Sequence, residues 1–295
     1  LKVDDNLDIE QTKLVLYHII AHFRMYKGRG IIATFDSEKY DEYVNFSRIG
    51  EGSLGGKARG LAFLSTLIKK YPVFKSFPNV VITIPRTVVL GVDVFEAFME
   101  SNDLYPVGLS DASDEDILNH FVSAALPDWV ERNLLKLAQV IKRPMAVRSS
   151  SMLEDSHHQP FAGIYSTYMI PYVNDKYEMV RLLSNAIKAV YASVFYKDSK
   201  AYMSATQNLI DQEKMAIVLQ EVVGSQYGNL FYPAISGVAR SLNYYPIGNE
   251  KPEDGIVSMA FGLGKYIMDG LMGLRFSPLH ASNILQLSSL DLALS

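Results

Sequence analysis

The sequence contains no cysteine. Disulfides, thiolate zinc sites, iron–sulfur clusters and cysteine nucleophiles are therefore excluded, which fits a cytoplasmic protein. No apolar run reaches the length of a membrane span, so no membrane partner is expected. Positive charge is not in excess: 28 lysines and arginines stand against 32 aspartates and glutamates, a formal net charge of -4. A duplex-binding surface needs a basic surplus, so nucleic acid is not an expected partner. A local basic site for a small anion needs only a few cations. The first residues, LKVDDNLDIEQ, are acidic and polar, unlike a signal peptide, and there is no initiator methionine. A piece of a longer protein, or a processed product, is expected. Internal repeats and low-complexity tracts are also lacking.

What is present is a globular profile. The 295 residues are 48% hydrophobic and 20% charged, enough for one large domain or two lobes. Residues 7–27 carry apolar side chains at helical spacing and stop at Gly28 and Gly30. The polar stretch 36–43 reads as a linker or edge. A glycine-rich segment, IGEGSLGGKARG, spans 49–60 and leads into an amphipathic helix. Residues 80–90 read as a strand with a break at Pro85. Helical patterns follow at 91–101 and 114–142, the latter interrupted by Pro127. Strands are expected at 143–151, 165–170, 214–223, 234–241 and 255–261, and a long helix at 175–195. Mixed strands and helices with glycine loops at strand ends predict an α/β or α+β enzyme scaffold.

Gly50, Gly52 and Gly55 satisfy G-x-G-x-x-G, a weak signal alone. A dinucleotide site needs a strand just before the glycines, and YVNFSR is a poor one. A kinase glycine loop is excluded, because no VAIK, HRD or DFG follows. A Walker loop is excluded because Lys57 is followed by Ala58. Two readings remain: backbone amides and Lys57 gripping phosphate at a helix N-terminus, or a turn capping a helix with Lys57 in solvent.

Arg148 sits inside the apolar run MAVRSS, and a buried arginine must meet an anion. From the residues alone a structural salt bridge to Glu154 or Asp155 is favoured. A bidentate grip on phosphate is the alternative. His157 and His158 read as solvated loop residues. His18 and His22 lack a third ligand and read as structural, and Trp129 reads as packing. The acidic stretch 111–116 reads as a helix N-cap followed by acidic first-turn residues.

Five ordered blocks then carry a resemblance: GGKARGL at 55–61, MAVRSSSMLEDSHHQPFAGIYSTY at 145–168, MAIVLQEVV at 215–223, SGVARSLNYYPIG at 236–248 and FGLGKYIMDG at 261–270. Together they resemble the N-terminal nucleotide-binding region of the pyruvate phosphate dikinase and phosphoenolpyruvate synthase family, over roughly 46–275. The resemblance implies an α+β, ATP-grasp-like two-lobed nucleotide-binding fold, truncated at the C-terminus. Its expected parts are a helical extension over 1–45, a first lobe over 46–165 and an incomplete second lobe over 166–295. It implies ATP and Mg²⁺ as cofactors, with phosphoryl passed to a histidine on a separate domain and then to pyruvate on a third. By the same resemblance Lys57 and Arg148 grip the phosphates. Gly56, Gly163, Thr167 and Tyr168 line the nucleotide site, and Gln220 lies near the adenine. Metal ligands are not assigned.

The family's later acidic-x-Glu-Trp-like block, its Q-x-R strand and its T-S-H histidine motif do not occur in these residues. The resemblance therefore implies the ATP-binding portion of a larger kinase-type phosphotransferase, inactive alone. Downstream phosphohistidine and pyruvate-binding domains are its expected partners. A non-catalytic nucleotide-sensing module, or a relative with another acceptor, is the alternative. Departures from the family pattern stand at Lys265 (usually acidic), Asp269 (usually small or amide), Thr87 (usually glycine) and the HHQ run at 157–159.

Overall fold

The structure is a computed structural model describing residues 32–36, 46–151, 165–205, 213–264 and 273–284, with the isolated positions 13 and 267. The expected helix over 7–27, the stretch 37–43, Gly163, Glu154, Asp155, His157, His158, Lys265 and Asp269 lie outside the described residues. The chain forms two compact units, 1–222 and 223–295. No helix of the described residues is long and apolar enough to cross a membrane.

The first unit is built on a six-stranded mixed sheet. Its strands are β1 (Ala33–Thr34), β2 (Phe46–Ile49), β3 (Thr87–Leu90), β4 (Met145–Ser150), β5 (Thr167–Ile170) and β6 (Ala216–Glu221), in the order β1-β2-β3-β6-β4-β5. β1, β2 and β3 run parallel, and the pairs β3–β6, β6–β4 and β4–β5 are antiparallel. The boundary expected at 165/166 therefore falls inside this unit, between two strands that hydrogen-bond to each other.

The described helices are α1 (Gly55–Lys70), α2 (Val92–Ser101), α3 (Tyr105–Leu109), α4 (Asp114–Ser123), α5 (Asp128–Val140), α6 (Lys176–Ser193) and α7 (Lys197–Ala205). Side chains alternate across each strand, so the sheet has two distinct faces. On one, Ile49, Val88, Leu90, Met145, Val147, Ile217 and Leu219 join Phe95, Phe98, Phe121, Leu134, Leu137, Ile187 and Tyr191 of the helices in the main core. Burying side chains of this size contributes roughly 1.5–3 kcal/mol each. Edge-to-face rings, Phe95 with Tyr191 at 5.1 Å and Phe98 with Phe121 at 6.0 Å, add directional packing. On the other face Phe46, Val89, Ala216 and Val218 pack against Leu54 and Ala58 of the α1 entry in a smaller cluster.

Pro127 separates α4 from α5, as the sequence predicts. Ser113 caps α4 by accepting from the Asp116 amide at 3.1 Å, with three acidic residues in the first turn, as expected for 111–116. Two elements differ from expectation. The strand at 80–90 is confined to Thr87–Leu90, because proline cannot donate to the ladder and the preceding residues are largely exposed. The weak stretch before the glycines is a strand after all: β2 ends one residue before Gly50 and is buried at three of its four residues.

The second unit contains an antiparallel sheet of β9 (Ile235–Arg240), β10 (Ile256–Phe261) and β11 (Leu274–Phe276), in the order β11-β10-β9. A hairpin of β7 (Ser225–Tyr227) and β8 (Leu230–Tyr232) precedes it, with Tyr227 and Tyr232 stacked at 4.5 Å. Asn243, fully buried, anchors the long β9–β10 connection. Its amide nitrogen donates to Glu250 at 3.1 Å, and its carbonyl accepts from the Tyr245 amide at 3.1 Å.

Candidate functional site

The glycine segment connects the parallel strands β2 and β3 by way of α1. Its first amides are not open. The Asp93 carboxylate accepts from the Glu51 amide at 2.8 Å and from the Gly52 amide at 2.9 Å. A Cβ on Gly50, Gly52 or Gly91 would lie 2.6, 2.6 or 2.4 Å from an atom of Asp93, so the glycines make room for that residue. The amides of the α1 N-terminus are engaged too. Leu54 supplies no side-chain cap. The end of β4 replaces it: Gly56 N–H donates to the Ser151 carbonyl at 2.9 Å, and Ala58 N–H donates to Ser150 Oγ at 3.1 Å. Ser150 Oγ in turn donates to the Leu54 carbonyl at 2.8 Å. Gly55 has φ +68°, and a Cβ there would stand 1.8 Å from the Ser150 carbonyl oxygen. The segment is thus a tight helix-to-strand junction, and Gly56 serves it by donating to Ser151.

This junction carries Lys57. Its Nζ donates to Ser149 Oγ at 3.1 Å. Ser149, Ser150 and Ser151 are all completely buried. The strand expected over 143–151 runs in the structure from Met145 to Ser150, so Ser149 and Ser150 belong to it.

Arg148 is half-buried on the neighbouring position of β4, and its Nη1 donates to Gln220 Oε1 on β6 at 3.3 Å. Gln220 Nε2 donates to Thr87 Oγ1 on β3 at 3.2 Å. Thr87 hydroxyl donates to the Pro85 carbonyl at 2.9 Å. Register explains the line: Thr87 lies opposite Gln220, Gln220 opposite Ala146, and Arg148 opposite Thr167. These side chains share the face on which α1 packs. At its β5 end that face is open, with Thr167 exposed and Met169 at 62% exposure.

The structure therefore gathers Thr167, Arg148 and Gln220 on one face and ties Lys57 to the residue next to Arg148. Tyr168 alternates to the other face. It packs against the main core and hydrogen-bonds Tyr196, whose phenol burial and Tyr168 push up to about 12. Thr87, noted in the sequence only as a departure from glycine, proves to be part of the polar line. Asp93, which fills the glycine loop, was not singled out; the one available signal was an acidic residue just after a glycine at a helix start. Among the described residues, no three histidine or acidic side chains converge as a metal site.

Comparison with known proteins gives the following. The model of the pyruvate phosphate dikinase AMP/ATP-binding domain matches residues 51–275. The chain is 30% identical over 187 residues to the uncharacterized phosphotransferase YvkC of Bacillus subtilis (strain 168), covering 63% of this chain and 20% of the relative. It is 27% identical over 167 residues to the phosphoenolpyruvate synthase of Aeropyrum pernix, covering 54% of this chain and 18% of the relative. The chain thus matches about a fifth of the length of these curated relatives.

Proposed function

The chain belongs to the pyruvate phosphate dikinase AMP/ATP-binding family, and we propose that it binds ATP with Lys57 and Arg148 as the two cations that hold the polyphosphate. The observation that carries this reading is the environment of Arg148. It is half-buried on a strand, and its partner among the described residues is a neutral amide, Gln220. An uncharged amide does not neutralise a guanidinium, and the guanidinium fork suits two phosphate oxygens at once. Lys57 joins the proposal from α1, where its ammonium donates to Ser149, the residue that follows Arg148 on β4 and alternates to the opposite face.

In this reading Thr167 lines the nucleotide beside Arg148 and Gln220 faces the base end; Gly163, which the resemblance adds to the lining, lies outside the described residues. Phosphoryl transfer depends on positioning and on neutralising charge, which a lysine and an arginine on a rigid sheet supply. Mg²⁺ would accompany the phosphates, and neither a ligand nor a step is assigned to it. The phosphoryl group would leave to a histidine and then to pyruvate, both on parts of a longer protein.

Calorimetric titration of the chain with ATP and Mg²⁺ tests the site. Weak binding is expected, and Lys57→Ala or Arg148→Ala should abolish it. Tight binding indifferent to both substitutions would defeat the assignment.

A further inference from the structure

We infer that Thr87 is a positioning residue of this nucleotide site, fixing which way the Gln220 amide stands and thereby where the Arg148 guanidinium lies. The inference rests on the nucleotide-binding reading above. The argument is one of donors and acceptors. A hydroxyl carries a single hydrogen, and that of Thr87 is given to the Pro85 carbonyl at 2.9 Å. Toward Gln220 it can therefore only accept, so the NH₂ end of the amide must face it, as it does at 3.2 Å. Arginine has donors alone, so Arg148 demands the oxygen end, which it meets at 3.3 Å. Both ends of Gln220 impose the same orientation.

Packing locks the line in place. Thr87 is 1% and Gln220 9% exposed, so water does not readily replace a lost partner. Ala146, directly opposite Gln220, is small and leaves Gln220 room to reach the diagonal neighbour Arg148. A valine at 87 has the same shape but no hydroxyl. It would leave the Gln220 NH₂ without its acceptor, or turn the amide so that N–H groups face the guanidinium. Either outcome frees Arg148 from its present position. A serine keeps the hydroxyl and the lock.

The test compares Thr87→Val and Thr87→Ser with the parent chain, reading ATP-Mg²⁺ affinity together with the NMR signals of the Gln220 side-chain amide. Thr87→Val should weaken ATP about tenfold, the scale of one buried hydrogen bond, and move the amide signals. Thr87→Ser should stay within about twofold of the parent and leave the signals in place. In a Gln220→Leu background the valine should have no further effect, a result that mere packing at 87 does not give. A valine variant with parent affinity and unmoved signals overturns the inference, as does a serine variant as weak as the valine. Should the parent itself show no affinity for ATP, the functional reading falls alone. The amide signals then decide the positioning role: movement with valine but not serine supports it, and no movement overturns it.

Discussion

Two glycines of α1 make opposite demands, and substituting each by alanine turns that contrast into a measurement. Gly55→Ala places an L-residue at φ +68°, which costs about 1–2 kcal/mol by backbone sterics alone. Its Cβ would also stand 1.8 Å from the Ser150 carbonyl oxygen, so the helix must move off the strand. That movement breaks the bonds from Gly56 to Ser151 and from Ala58 to Ser150 Oγ, each about 1 kcal/mol. The sum is about 3–4 kcal/mol, a large part of the stability of an ordinary domain. For a unit of this size it lowers the melting temperature by roughly 6–16 °C. Gly60 lies in the interior of the same helix with nothing within 4 Å of a Cβ. Gly60→Ala should therefore stabilise by about 0.5–1 kcal/mol through helix propensity. Melting of both variants by circular dichroism supplies the comparison. Equal shifts, or a Gly55→Ala protein as stable as its parent, would refute the junction described here. The Gly55 variant should also lose whatever ATP affinity depends on Lys57, because the lysine sits two residues along the displaced helix.

Further outcomes follow from individual contacts. Ser113→Ala should destabilise by about 1 kcal/mol, read from denaturant unfolding, because the Asp116 amide loses its cap. Its absence from the unfolding midpoint would remove the cap from the account of α4. In alkaline solution the folded Tyr196 holds its proton to about pH 12 whereas an unfolded tyrosine releases it near 10, so stability should fall as pH rises across that window. Tyr196→Phe should flatten part of the fall, and an unchanged pH profile would count against burial of that phenol.

Much of this fold was legible because its periods are clean. The apolar stripe of α6, the buried run of β6 and the Pro127 break each follow from one local rule. β2 was hidden because four residues, one of them Arg48, give alternation too little length to show. Arg148 was legible as a buried cation but not its partner, since Gln220 lies 72 residues away and only the β4–β6 register brings it within reach. Tyr168 was read with Thr167 because the two are adjacent, yet adjacency on a strand means opposite faces. The two-unit division at Val222/Val223 follows from strand pairing across the whole first unit, a long-range property that composition does not reveal.

The carboxylate of Asp93 gives the G-x-G-x-x-G pattern a meaning different from its usual one. A loop that already holds an anion of its own is electrically settled and conformationally preorganised before any substrate arrives. It has little ordering entropy left to lose on binding, and equally little affinity of its own to contribute. In the proposed reading, recognition of a phosphate then falls to the side-chain cations Lys57 and Arg148, carried by the frame that the loop braces, rather than to the glycine amides.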